Sequence, residues 1–202
     1  ELVVGEAEHT LWSTTGAPAL RYLRGRGLED NTIHAARLGY VPFQSDQERQ
    51  YGIRVLLNWT VDGTAVRVFP GITLPHYADG HLWGIRIRTS SGKPKYIGVR
   101  GGSKALYGAD AVIPGHPLLI TEGEFDCLLA RQVACKRALQ LSVVSLASAS
   151  NKSINRRWWP KLLGSPTLLV RVDADMAGQA ALKCLQTLSA CMCEVAVPQC
   201  KD

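Results

Sequence analysis

From residue 113 onward, short apolar runs alternate with longer stretches of mixed polarity. Residues 117–121, 142–146, 167–172 and 193–197 read as buried strands, and residues 125–135, 153–163 and 177–190 as the helices between them. That rhythm predicts an α/β parallel sheet with helices on its faces. The first part of the chain has a different pattern. Residues 1 to about 40 look helical: Leu20 and Leu23 fall on a helical spacing within 17–28 and Gly27 supplies a stop. Asp30 or Asn31 can cap a second short helix over 32–38, ended by Gly39. Residues 55–60, 65–69 and 82–88 read as strands, separated by turn signals at Asp62-Gly63, Asp79-Gly80 and Ser91-Gly92. In 82–88 the apolar Trp83, Ile85 and Ile87 alternate with Gly84, Arg86 and Arg88, giving one apolar and one basic face. A smaller mixed α+β region therefore precedes the parallel sheet, with no internal repeat and no low-complexity tract.

Composition adds little until charge is placed along the chain. With 202 residues, 46% hydrophobic and 20% charged, the protein can bury a real core and is ordinary for a globular protein. Nothing approaches the roughly 18 consecutive apolar residues of a membrane span, and no signal peptide is visible. A chain that opens on Glu1 rather than Met reads as an excised or processed fragment. Six cysteines (Cys127, Cys135, Cys184, Cys191, Cys193, Cys200) form no CxxC pair and no zinc spacing, so they are expected to be reduced thiols of a cytoplasmic protein. The net charge of +6 is uneven: residues 80–109 contain no acid, and residues 127–172 contain none against eight Lys or Arg. Basic tracts of that kind suit a polyanion.

The acids are concentrated instead. Glu122-Gly-Glu-Phe-Asp126 follows one predicted strand, and Asp173-Ala-Asp175-Met-Ala-Gly178 follows another, 51 positions on. Carboxylates just past the carboxyl ends of parallel strands lie where open α/β sheets bind ligands. Acids converging there repel one another unless a cation neutralises them, and oxygen-only ligation suits Mg²⁺ or Mn²⁺. The outline is that of a metal-dependent phosphoryl-transfer site.

Residues 117–202 resemble a Toprim domain, through Glu122-Gly123 with Asp126 three residues beyond the Gly, and through Asp173 and Asp175 followed by Ala177-Gly178. The remainder is similar to the catalytic core of DnaG-type primases. Residues 19–42 resemble its opening helical segment, Pro94-Lys95-Tyr96 its "PKYL" motif, and residues 103–108 its "K..LYG" motif. Residues 143–146 resemble the second Toprim strand of phage primase-helicases, although Ala147-Ser148 stand where a Gly is usual. Against that resemblance the zinc-binding module and the helicase part are expected to be missing, and the end, Val197-Pro-Gln-Cys-Lys-Asp202, resembles the start of a last acidic motif that the fragment cuts short.

The resemblance implies a compact bacterial, phage or mobile-element primase core acting in the cytoplasm within a replication complex. Residues 1–112 would be the basic, template- and nucleotide-facing α+β subdomain, and residues 113–202 the Toprim catalytic subdomain. It implies RNA primer synthesis on single-stranded DNA from ribonucleoside triphosphates by two-metal nucleotidyl transfer, with a replicative helicase as partner in cis or in trans. Glu122 would be a metal ligand or the base taking the attacking hydroxyl's proton, and Asp173 and Asp175 would ligate Mg²⁺ or Mn²⁺. Asp126 is either a fourth ligand or an acid set against a helix dipole; Glu124, outside the motif, is expected to face solvent. Lys95 and Lys104 match positions facing nucleotide or template, and Arg86, Arg88 and Arg100 are expected to reach phosphates. Gly178 would let the next helix start close to the sheet. Arg156-Arg-Trp-Trp159 offers base stacking, but at least one of these Trp is expected in the core. Two alternatives stay open: a Toprim nuclease, which has no use for the Lys95 and Lys104 segments, and a non-catalytic nucleic-acid- or helicase-binding module.

Overall fold

The computed structural model describes residues 1–43, 45, 54–61, 64–89, 94–103, 105–146, 155–171, 183 and 194–196. The chain divides into two compact units, Glu1–Tyr77 with His81–Ala105, and Ala78–Gly80 with Leu106–Asp202.

The first unit opens with α1 (Leu2–Leu11), α2 (Ala17–Gly25) and α3 (Asp30–Ala35). Val3, Val4, Ala7 and Leu11 form the buried stripe of α1, at the spacing of one helix face. Gly27 ends α2 by a specific mechanism. It takes φ +87° while its N–H donates to Arg24 O (2.9 Å) and the Leu28 N–H to Leu23 O (3.2 Å), with Leu23 and Leu28 both buried. α3 starts and ends earlier than its sequence suggests. Arg37, not Gly39, takes the left-handed turn at φ 52°. A side chain there is disfavoured, and this one is held in place: its guanidinium donates to Glu8 (2.8 and 3.1 Å) and Glu1 (2.9 Å) and also to the Tyr77 hydroxyl.

Two antiparallel sheets complete this unit. β2 (Arg54–Val61) pairs with β3 (Thr64–Val68), with an irregular register between Leu56 and Thr60. The other sheet has the order β1-β4-β5-β6, from β1 (Gly39–Val41), β4 (Gly71–Ala78), β5 (His81–Thr89) and β6 (Tyr96–Gly98). β4 has no counterpart among the predicted strands because Pro75 interrupts its pattern. Its pairing with β1 covers only Gly71, Ile72 and Thr73, so Pro75 lies past the end of that partner, where a missing N–H costs no ladder bond on that side. The core joins Val3, Val4 and Ala7 of α1 to Val41, Val66, Val68, Ile85 and Ile87.

The second unit is the parallel sheet, order β10-β9-β7-β8, with β7 (Leu118–Thr121), β8 (Ser142–Ser145), β9 (Thr167–Arg171) and β10 (Glu194–Ala196). α4 (Glu124–Lys136) joins β7 to β8. The segment before β9 is a 3₁₀ turn (Arg156–Trp158) running into α5 (Trp159–Leu163), its start capped by the Asn155 side chain accepting from Arg157 N (3.1 Å). Trp158 is core, at 4% exposure, and Trp159 is partly exposed. Cys127 is buried and Cys135 exposed, both as free thiols; the other four cysteines, the expected helix over 177–190 apart from residue 183, Gly178 and Ala147-Ser148 lie outside the described residues. Among the described residues no helix is long and apolar enough to cross a membrane.

Candidate functional site

β7 is flanked by β8 and β9, and the chain leaves its carboxyl end through Glu122 and Gly123 into α4. This turn is pinned to β8. The Thr121 hydroxyl reaches Gly123 O and Val144 O (3.2 Å each), Leu146 N donates to Thr121 O (3.2 Å), and the Ser145 hydroxyl donates to Glu122 O (3.0 Å). Ser145 is itself fixed, exchanging two backbone hydrogen bonds with Tyr107. The Glu122 backbone therefore has little freedom, while its side chain is partly exposed.

Gly123 is the N-cap of α4, in extended backbone (φ −108°, ψ 155°). A Cβ on it would lie 2.9 Å from Asp126 Oδ2, so the Asp126 carboxylate is folded back over the helix start. That is where an acid in the first turn favours the helix dipole. Asp126 is also exposed and four residues from Glu122, so both expected roles remain compatible with its position. Glu124 departs from expectation: it is 1% exposed rather than solvent-facing. It is the first residue of α4, and its charge is felt by Tyr107 and Cys127. Beneath the turn, burial pushes the Cys127 thiol up to about 12, and its Sγ donates to Val143 O (3.6 Å). Burial raises Tyr107 as well, so both groups stay neutral beside the charges of Glu124 and Arg131.

β7 and β9 end level with each other, Thr121 opposite Arg171. Glu122 thus follows one strand end and Val172-Asp173 the neighbouring one in sequence, but Asp173 and Asp175 lie outside the described residues. Among the described residues no group of three His, Cys, Asp or Glu is placed to hold a metal. The carboxylates that are described, Glu122 and Asp126, supply only oxygen donors, which suits Mg²⁺ or Mn²⁺ rather than a softer ion.

Three of the expected basic residues, Arg86, Arg88 and Lys95, form a second assembly in the first unit. Arg88 stands opposite Tyr96 in the β5–β6 ladder, and Arg86 lies two positions along the same face. The Tyr96 ring collects Arg86 (4.7 Å), Arg88 (5.6 Å) and Lys95 (6.0 Å), with Arg88 Nη1 also 3.5 Å from its hydroxyl. Arg88 reaches over Tyr22 of α2 as well (5.3 Å). Rings hold these cations by their negative faces while leaving the charge available to an anion. Arg100 sits in the exposed turn after β6, and Lys104 lies outside the described residues. Sequence reasoning gave the tyrosines no part in this assembly; the register of Arg88 with Tyr96 is the signal that would have found it.

No protein-family model matches the chain. In sequence, 188 residues are 29% identical to a DNA primase of Deinococcus radiodurans, covering 81% of this chain and 32% of that protein. The chain thus spans about a third of the length of that curated relative. A solved DnaG catalytic core superposes with TM-score 0.72 over 99% of this chain and 71% of its own, at 18% identity. A DnaG primase catalytic domain bound to single-stranded DNA gives 0.69 over 99% of this chain and 70% of its own, at 19% identity. The primase fragment of the bacteriophage T7 primase-helicase gives 0.56 over 89% of this chain and 65% of its own, at 22% identity.

Proposed function

We propose that this chain, which has the fold of the DnaG primase catalytic core, is the catalytic part of a DNA primase making RNA primers on single-stranded DNA. The observation that carries this reading is the level ending of β7 and β9, after which Glu122 on one side and the Asp173-Ala-Asp175 segment on the other begin within two residues in sequence. The sequence likeness to a DNA primase and the fold shared with a DnaG domain bound to single-stranded DNA support it.

Residues 113–202 would carry the chemistry and residues 1–112 the nucleotide and template contacts. Glu122, Asp173 and Asp175, with Asp126 beside them, would hold two Mg²⁺ or Mn²⁺ ions. When bound, such ions lower the barrier to attack by a 3′-hydroxyl and neutralise the leaving pyrophosphate. The hydroxyl oxygen would bond to the α-phosphorus as the bond to pyrophosphate breaks, and Glu122 would take the hydroxyl's proton if it is not a ligand. Arg86, Arg88, Lys95, Arg100 and Lys104 would hold triphosphate and template phosphates. The likeness to a primase-helicase fragment favours a replicative helicase as partner, in cis or in trans, and a cytoplasmic replication complex as the setting.

The test is incubation with single-stranded DNA, labelled ribonucleotides and Mg²⁺ or Mn²⁺, read on a sizing gel. Short labelled products that disappear in Asp173→Ala/Asp175→Ala are expected. Template cleavage without products would instead assign a nuclease, and neither activity, with nucleic-acid binding kept, a non-catalytic module.

A further inference from the structure

The Arg88 side chain that caps the Tyr96 assembly also forms the rim of a cleft. α2 stands over the end of the antiparallel sheet and leaves an opening of about 340 Å³ lined by Pro18, Ala19, Tyr22, Tyr40, Ile72 and Arg88. Its size falls at the lower end of small-ligand pockets. The walls are unusual for a gap between a helix and a sheet. Tyr40 stands opposite Ile72 in the β1–β4 ladder, so a ring and a flat aliphatic side chain share one wall. Tyr22, 36% exposed, presents its ring from α2, and the Arg88 guanidinium lies over it at 5.3 Å. Arg26 Nη1 reaches the Tyr22 hydroxyl at 3.4 Å. From Arg26 through Tyr22, Arg88 and Tyr96 to Arg86, cations and rings thus alternate out of the cleft.

A slot with phenol rings, apolar walls and one guanidinium at its mouth selects a planar, π-rich group that carries a negative charge next to it. Unstacked nucleobases are taken up on aromatic and guanidinium planes in this way. We propose that this cleft is a nucleotide-binding pocket: a base enters against Tyr22 and Tyr40, and its phosphate rests on Arg88. The next phosphates run along the ladder toward Arg86 and Lys95. The ligand is either a base turned out of single-stranded template or a free nucleotide, since both present the same chemistry. The inference rests on the nucleic-acid-binding reading above, but uses residues of α2 and β1 to which that reading gives no named contact.

Three ligands separate the possibilities: fluorescein-labelled oligothymidylate, the same oligomer with every base replaced by an abasic sugar, and ATP. Stacking of one base is worth roughly a tenfold change in affinity or more. Tyr22→Ala and Tyr40→Ala are each expected to weaken oligothymidylate about tenfold and to leave the abasic oligomer unchanged, whereas Tyr22→Phe and Tyr40→Phe stay near wild type. A loss confined to ATP assigns the pocket to a free nucleotide. Pro18→Trp, at an exposed rim position, fills the opening without removing a buried group and should reproduce the loss if the alanine variants fold poorly. Variants that bind all three ligands like wild type would overturn the pocket and leave the proposed function standing. A wild-type protein that binds neither oligothymidylate nor ATP would instead sink the function on which the pocket rests.

Discussion

At single residues, the turn after β7 yields two sharp tests. Gly123→Ala places a methyl against Asp126 Oδ2 and replaces an N-cap glycine by a poorer cap, a loss of about 1 kcal/mol in stability by thermal unfolding. It also separates the two roles of Asp126. If the carboxylate is a ligand, Mn²⁺ affinity falls together with stability; if it only faces the helix dipole, stability alone falls. Cys127 gives a pH dependence of known sign. Its thiol is raised from 9.0 to about 12 in the folded protein, with burial the largest cause. Below pH 9 both states are protonated and the effect is fully present. Between pH 9 and 12 the unfolded chain loses the proton that the folded chain keeps, so stability falls, by up to about 1.4 kcal/mol per pH unit. Urea midpoints between pH 8 and 11 should decline in the wild type and decline less in Cys127→Ala. At pH 8, Cys135 should react with a thiol reagent while Cys127 stays protected.

Among the elements, β7 and β8 are tied through one hydroxyl. Ser145→Ala removes the donor to Glu122 O from a site with no exposure, for an expected loss of about 1–2 kcal/mol in urea unfolding. Ser145→Thr keeps the donor and should retain more of the Mn²⁺ affinity. The parallel strands were legible because each is a short apolar run ending at a turn, and β7, β8 and β9 fall within one residue of where the pattern puts them. β4 was not, because Pro75 is forbidden in a strand paired on both sides but harmless where β1 has ended. α3 stops at a left-handed Arg37 because Glu1, the N-cap of α1, and Glu8, within α1, hold its side chain; no local rule contains that partnership. Glu124 was misread for a related reason, since charge in a first helical turn implies solvent only when nothing packs over it. The site shows the same division. Glu122 and Asp126 could be read from one short motif, whereas Arg88 meets Tyr22 across 66 residues of chain, a contact that only the packing of α2 on the sheet creates.

For the molecule as a whole, the proposed function assigns binding to the basic residues and chemistry to the carboxylates, so the two should separate. If Arg86, Arg88, Lys95 and Arg100 each neutralise a phosphate, the logarithm of affinity for single-stranded DNA should fall with the logarithm of salt concentration at a slope of about −3. Replacing any one of them with Gln should make the slope shallower by roughly 0.7. EDTA should abolish primer synthesis and leave that slope in place. A salt-independent affinity would remove these residues from the interface.

The sheet order has a practical side. β10 contributes only three residues, Glu194–Ala196, yet among the described strands it is the one that pairs with the outer edge of β9. A chain cut before Glu194 would bare a row of N–H and C=O groups beside an apolar strand, a template on which a second copy can pair. Such a shortened protein should accumulate in inclusion bodies or as soluble aggregates. Its inactivity would then report insolubility, and a deletion series across this end has to be read first by light scattering and only then by assay.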